Sequence, residues 1–219
     1  MVRRARRQVR TQDAFGKRAQ KEGYPARSVY KLSEIDRRVR LFRRGMRVLD
    51  LGACPGSWTL YAAEQVGREG KVIGLDLNPA RTALPPQAHY QTGDVMEVTA
   101  EELGGPGSFE VVLSDMAPKT SGARERDQFL SYELYMRALQ IATQVLVPRG
   151  LFVGKLFQGA EFEDARAATR KHFEKLRLIK PEASRDESYE VFLVGLQYQP
   201  AVEPDEYTSP SGPPAASEP

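Results

Sequence analysis

An α/β fold, a parallel sheet covered by helices on both faces, is what this 219-residue sequence predicts, on three observations. Strand-like and helix-like segments alternate from residue 46 to residue 198. Several strand segments are apolar at consecutive positions, as strands buried on both faces must be. A glycine-containing turn breaks the first of them just before a helix pattern begins.

The elements follow in order. Residues 1–25 are polar and basic and read as an arm or short helix. In RSVYKLSEIDRRVRLF (27–42), Val29, Leu32, Ile35, Val39 and Phe42 recur every three or four positions, the spacing of an amphipathic helix. MRVLDL (46–51) predicts a strand, WTLYAAEQV (58–66) a helix, and KVIGLDLN (71–78) a second strand, which together make a βαβ unit. AHYQTGD (88–94) has a weak strand pattern and FEVVLSD (109–115) a strong one. FLSYELYMRALQIATQVL (129–146) predicts a long helix, LFVGKLF (151–157) a strand, EDARAATRKHFEKL (163–176) a helix and YEVFLVGLQY (189–198) a last strand. The chain divides into a basic arm (1–25), one domain (26–199) and a proline-rich tail (200–219) with little to bury, which is expected to be disordered.

Composition excludes several classes. Cys54 is the single cysteine, so no internal disulfide framework exists, and with His89 and His172 as the only histidines a Cys/His catalytic pair has little support. No uncharged stretch reaches the roughly 18 residues of a membrane span, and no apolar segment follows the N-terminal arginines as in a secretory signal. The protein is expected to be cytoplasmic, with no membrane partner and no metal. Net charge is only +3, but its distribution is uneven. Arg3, Arg4, Arg6, Arg7 and Arg10 occupy the first ten residues without an acid, whereas Glu203, Asp205, Glu206 and Glu218 lie in the tail without a base. An arginine cluster is the footprint of a phosphate binder, or else a solubilising arm.

In an open α/β sheet the ligand lies beyond the carboxyl ends of the strands, where strand order reverses. LDLGACPGSW (49–58) falls at that place. Gly52 and Gly56 allow close backbone approach, and Asp76 ends the second strand, where an acid can take both hydroxyls of a ribose. These features point to a nucleoside cofactor. The dinucleotide pattern G-x-G-x-x-G is absent, and Asp50, Asp76, Asp94 and Asp115 all fall at strand ends, with Trp58 supplying a ring for stacking or a cation contact. Acids and an aromatic suit S-adenosylmethionine, which carries a positive sulfonium and no phosphate. Taken singly, each acid could equally be a turn cap. Lys155 lies inside an apolar strand, where an unpaired charge is costly and few structural explanations exist.

Read together, YKLSEID, MRVLDLGACPGSW, KVIGLDLNP, GDV, VVLSDMAPKTSG, GKLFQG and SYEVFLVG resemble the FtsJ-like family of RNA ribose 2′-O-methyltransferases, in order and spacing, across residues 27–198. The resemblance implies a Rossmann-like class I S-adenosylmethionine-dependent methyltransferase fold, with a mostly parallel sheet, an antiparallel last strand and helices on both faces. It implies a tetrad of Lys31, Asp115, Lys155 and Glu190, and cofactor contacts from Gly56, Trp58, Asp76, Asp94 and Asp115. The chemistry accounts for such a set: a ribose hydroxyl is barely acidic, and attack on a methyl requires its proton removed or its developing charge stabilised. Lys155 is assigned as base or oxyanion stabiliser, oriented by Asp115 and Glu190, with Lys31 on the substrate ribose. The sequence departs from the family pattern at Ser57, where the loop commonly has a second glycine, and at Lys119, where asparagine is common. The resemblance further implies a uridine of large-subunit ribosomal RNA as target, presented by the ribosomal subunit; the sequence does not give the oligomeric state, and a monomer is favoured. Arg27, Arg37, Arg38, Arg40, Arg43 and Arg44 are expected to extend the basic surface of the arm. Two rival readings are an RNA-binding or assembly factor without activity and, on the same fold, a nicotinamide-dependent oxidoreductase.

Overall fold

The computed structural model describes residues 14–184 and 188–200. Most of the arm and nearly all of the tail lie outside these residues. Helix α1 is described over 14–21 and leads to α2 (Val29–Val39). There follow β1 (Arg47–Leu51), α3 (Ser57–Val66), β2 (Lys71–Asp76), β3 (Ala88–Thr92), β4 (Phe109–Ser114), α4 (Arg124–Val145), β5 (Leu146–Phe157), α5 (Phe162–Arg170), β6 (Phe173–Ile179) and β7 (Glu190–Tyr198). One seven-stranded sheet runs in the order β3-β2-β1-β4-β5-β7-β6. The pairs among β1 to β5 are parallel, and β7 is antiparallel to both β5 and β6. The chain winds outward from β1 to β3 and then returns to β4 on the other side of β1, so strand order reverses between β1 and β4.

Alternation along the central strands sorts their side chains between two apolar layers. Leu49, Leu51, Val112 and Phe152 face Tyr135, Ala138 and Ile141 of α4. Val48, Val111, Leu113, Val153, Phe192 and Val194 face Leu32 and Ile35 of α2 and Trp58, Ala62 and Val66 of α3. Each fully buried side chain of this size contributes roughly 1.5–3 kcal/mol. Helix α2 ends where Arg40 takes a left-handed conformation (φ 56°), with its N–H donating to the Asp36 carbonyl. The Asp36 carboxylate accepts from the N–H of Leu41 at 2.8 Å and turns the chain toward β1.

Two sequence expectations are corrected. The helix expected over 163–176 stops at Arg170, and Phe173–Ile179 forms an edge strand. Its Glu174, Lys175 and Arg177 favour helix locally, but Phe173 docks in the sheet. It stacks 6.2 Å from Phe152, packs against Tyr198, and lies over Gly195, where a Cβ would come within 2.6 Å of its ring. Charged residues are also what an exposed edge strand tolerates. The long helix begins at Arg124 rather than 129, and the strand after it begins at Leu146.

Candidate active site

The face of the sheet covered by α2 carries the chemistry. Positions 111, 113 and 115 of one strand line, 153, 155 and 157 of the next, and 190 and 192 of the third alternate onto that face. Lys155, 7% exposed, stands between Asp115 at the end of β4 and Phe192 of β7, its register partner. Its Nζ lies 2.9 Å from Asp115 Oδ1 and donates to the Asp115 carbonyl at 2.5 Å. Lys31, projecting from the first turn of α2, pairs with Glu190 at 2.6 Å and lies 5.9 Å from the Phe192 ring centre. Burial pushes the Asp115 carboxyl up, but Lys155 and then Lys31 outweigh it and hold it below the ordinary carboxylate value. The four residues expected as a tetrad therefore form two adjoining ion pairs.

This pairing departs from the expectation that Asp115 and Glu190 both flank Lys155. The antiparallel register sets Glu190 opposite Phe157, beyond Lys155, within reach of α2 rather than of the Lys155 ammonium. Lys155 has one carboxylate partner and Lys31 the other.

Beside this cluster, at the β1–β4 switch, lies the glycine turn. Gly52 (φ 75°) and Gly56 (φ 107°) both occupy the left-handed region. A Cβ on Gly52 would run into Met116 Cγ, so the loop after β1 packs directly on the loop after β4. Gly56 leads into α3 without a side-chain cap, leaving the first-turn amides of that helix open to a ligand carboxylate. Asp76 accepts from the backbone N–H of Cys54 at 3.1 Å and of Asn78 at 2.8 Å, so it braces the turn as well as facing the crevice. Asp94 accepts from the N–H of Met96 through Oδ1. Asp50 is buried beneath the turn: its Oδ2 accepts from the Thr59 hydroxyl at 2.7 Å, and its Oδ1 has no hydrogen-bond partner among the described residues. Burial, opposed by Thr59 and reinforced by Asp115 and Asp76, pushes its carboxyl up to about 7.

Trp58 is a further correction. Its ring is 3% exposed, packs 5.7 Å from Phe192, and donates its indole N–H to the Ser28 carbonyl at 2.8 Å. A buried ring cannot stack on a ligand. Ser57 exchanges hydrogen bonds with Ala26: its Oγ accepts from the Ala26 N–H at 2.8 Å and donates to the carbonyl at 3.2 Å. The serine at the second glycine position of the family pattern thus ties the glycine turn to the segment that launches α2 and Lys31. Lys119 is exposed in the loop after β4.

Sequence reasoning missed Leu77 and Met96. Each is a large apolar side chain left 65% and 50% exposed, next in sequence to Asp76 and two beyond Asp94, at neighbouring strand ends. Exposure of apolar residues beside two acids is the signal a sequence cannot carry. The arginines also separate. Helix α2 spans from the Lys31–Glu190 pair to the opposite end of the sheet, where Gly45 N–H donates to the Val66 carbonyl, so exposed Arg40, Arg43 and Arg44 lie away from the site. Arg27 stays beside Lys31, and Arg38 pairs with Glu34. A cavity of about 940 Å3 is lined by Val98, Arg137, Leu146 and Tyr198, and includes none of the paired lysines and acids. Among the described residues no group of three or more His, Cys, Asp or Glu could hold a metal, and no helix is long and apolar enough to cross a membrane.

The family model described as FtsJ-like methyltransferase matches residues 24–198. The chain belongs to the FtsJ-like methyltransferase family. Among the relatives of this FtsJ-like chain is the ribosomal RNA large subunit methyltransferase E of Sorangium cellulosum, 53% identical over 189 residues, 86% of this chain and 89% of that one. The protein of the same name from Nitratidesulfovibrio vulgaris is 47% identical over 190 residues, 85% of this chain and 94% of that one. A crystal structure described as a ribosomal RNA methyltransferase from Plasmodium falciparum superposes with a TM-score of 0.67 at 22% identity, covering 80% of this chain and 98% of that one. At that identity it supports the shared fold, the sheet of the FtsJ-like family.

Proposed function

We propose that this FtsJ-like protein methylates a ribose 2′-hydroxyl of large-subunit ribosomal RNA, a uridine in the ribosomal subunit, with S-adenosylmethionine as donor. The observation that carries the reading is the convergence of the Lys155–Asp115 and Lys31–Glu190 pairs at the strand ends beside the glycine turn. Family membership and the names of the relatives support the RNA class.

The residues present fit the donor. The two left-handed glycines form a cradle that side chains would fill, and open first-turn amides of α3, including that of Trp58, suit an amino acid carboxylate. Asp76 would suit the ribose hydroxyls and Asp94 the polar edge of the adenine, and exposed Leu77 and Met96 would offer it apolar surface. Asp115 lies between this pocket and Lys155. The donor, when bound, supplies an electrophilic methyl. The chain prepares the oxygen that receives it. Lys155 donates one N–H to the Asp115 carbonyl and its Nζ lies 2.9 Å from the carboxylate Oδ1, which leaves N–H positions for the substrate oxygen. As an ammonium, Lys155 holds the negative charge that develops on the 2′-oxygen; only as the neutral amine, having first given up a proton, would it take the proton of the 2′-hydroxyl, and in either form Asp115 orients it. Lys31, held by Glu190, faces the ribose from the α2 side. A chain that only clamped RNA would have no use for a lysine buried in a strand, which disfavours an inactive assembly factor. The enzyme is proposed to act as a cytoplasmic monomer, with no metal.

The test is methyl transfer from labelled S-adenosylmethionine to large subunits that lack the modification, followed by nucleoside analysis. Label in a 2′-O-methylated uridine is the expected result. Label on a base, or none, would overturn the reading.

A further inference from the structure

Next to the paired lysines is a cavity of about 410 Å3 whose floor is Lys31 and Glu190 and whose wall is Phe157 and Tyr189. Its volume lies in the roughly 300–1,000 Å3 range of small-ligand pockets. The two rings meet edge to face at 4.9 Å, and Tyr189 is only half-buried. Thr120 and Ser188 add hydroxyls, and Arg27 lies at the border. Arg124, the first residue of α4, holds its guanidinium 5.1 Å from the Tyr189 ring centre.

We infer that this cavity receives the base of the acceptor nucleotide, unstacked from its neighbours and held against the Phe157–Tyr189 wall. The inference rests on the methyl-transfer reading above. In a nucleotide the base hangs from the carbon adjacent to the one bearing the 2′-hydroxyl. Once that oxygen is at Lys155, the base must lie a few ångströms to one side. One side is closed to it: the glycine turn follows β1, beyond Asp115, and is reserved for the methyl donor. On the other side the sheet continues to β7, and the residues met there are Glu190 and Tyr189. An aromatic wall beside two ion pairs has a use in this position, because enzymes that act on one nucleotide hold its unstacked base on aromatic or guanidinium planes. Arg124, over the Tyr189 ring, puts positive charge next to the cavity, where a flanking phosphate would pass.

The wall forms because β7 is antiparallel to β5. Phe157 is in register with Glu190, and the Gln158 N–H donates to the Tyr189 carbonyl at 2.9 Å, so the ladder continues one step past the ion pair and sets both rings at the same end. Tyr189 is thus a positioning residue for the substrate.

The experiment compares Tyr189→Ala, Tyr189→Leu and Tyr189→Phe with the wild type in steady-state methylation of large subunits lacking the modification, with thermal melts and S-adenosylmethionine affinity measured alongside. Tyr189→Ala should lose ten- to a hundredfold in kcat/KM, mostly through a raised KM, with melting and cofactor affinity unmoved. Tyr189→Phe should recover most of that loss, and Tyr189→Leu, apolar but without a ring, should not. An unchanged KM in Tyr189→Ala, or recovery by leucine equal to that by phenylalanine, would overturn the stacking role while leaving the methyl-transfer reading intact. A wild type that methylates no ribose would overturn both.

Discussion

Replacing Lys155 by methionine keeps an unbranched stem of similar length and removes the ammonium, which isolates the charge from the packing. At 2.9 Å from Asp115 and an effective dielectric near 20, the pair attracts by about 6 kcal/mol before desolvation is counted. Both side chains are largely buried, at 6% and 17% exposure, so the variant leaves a carboxylate with poor access to water. Breaking a buried pair in this way costs about 3–5 kcal/mol. Lys31 still acts on Asp115, which places the expected loss at the low end, about 3 kcal/mol. Adding Asp115→Asn should restore part of it, and urea melts of the four proteins in the cycle would give a coupling of about 2 kcal/mol. The kinetic effect is separate. Removing the group that handles the 2′-proton should slow single-turnover methylation by about 10²–10⁴. Calorimetric affinity for S-adenosylmethionine should change little, since the pocket proposed for it is at the glycine turn and does not include Lys155. A Lys155→Met protein that keeps more than a tenth of the wild-type rate would refute the assignment. So would a fall in cofactor affinity as large as the fall in rate.

Two further outcomes follow. Because the folded Asp50 carboxyl is raised to about 7, the folded protein retains a proton that the unfolded chain releases near pH 3.9, so its stability contribution is complete below that value and declines as pH rises toward 7. Asp50→Asn, neutral throughout, should gain about 3 kcal/mol relative to wild type between pH 5 and pH 8 in denaturant melts, and parallel pH curves would refute the raised value. Deleting residues 1–10, which lie outside the described residues, should weaken RNA binding and flatten its dependence on salt, by about one unit of slope for each phosphate no longer neutralised; an unchanged slope would leave the arginines without that role.

The sequence by itself determined the order of elements as far as α5, the place of the glycine turn and the anomaly of Lys155, because each depends on local periodicity. Apolar spacing tells which face of a helix or strand is buried, and a charge that breaks the pattern stands out. Asp76, Asp94 and Asp115 were legible at strand ends for the same reason. Tertiary structure alone decided which groups meet. Glu190 pairs with Lys31 because the β5–β7 register carries it past Lys155, and Trp58 turns inward because Ser28 and Phe192 await it there. Residues 173–179 become a strand because Gly195 leaves room for Phe173, and the α2 arginines part company because the helix runs the height of the sheet. Register, sheet order and the space beneath a side chain are non-local quantities, set by residues far apart in the chain, and no window of sequence contains them.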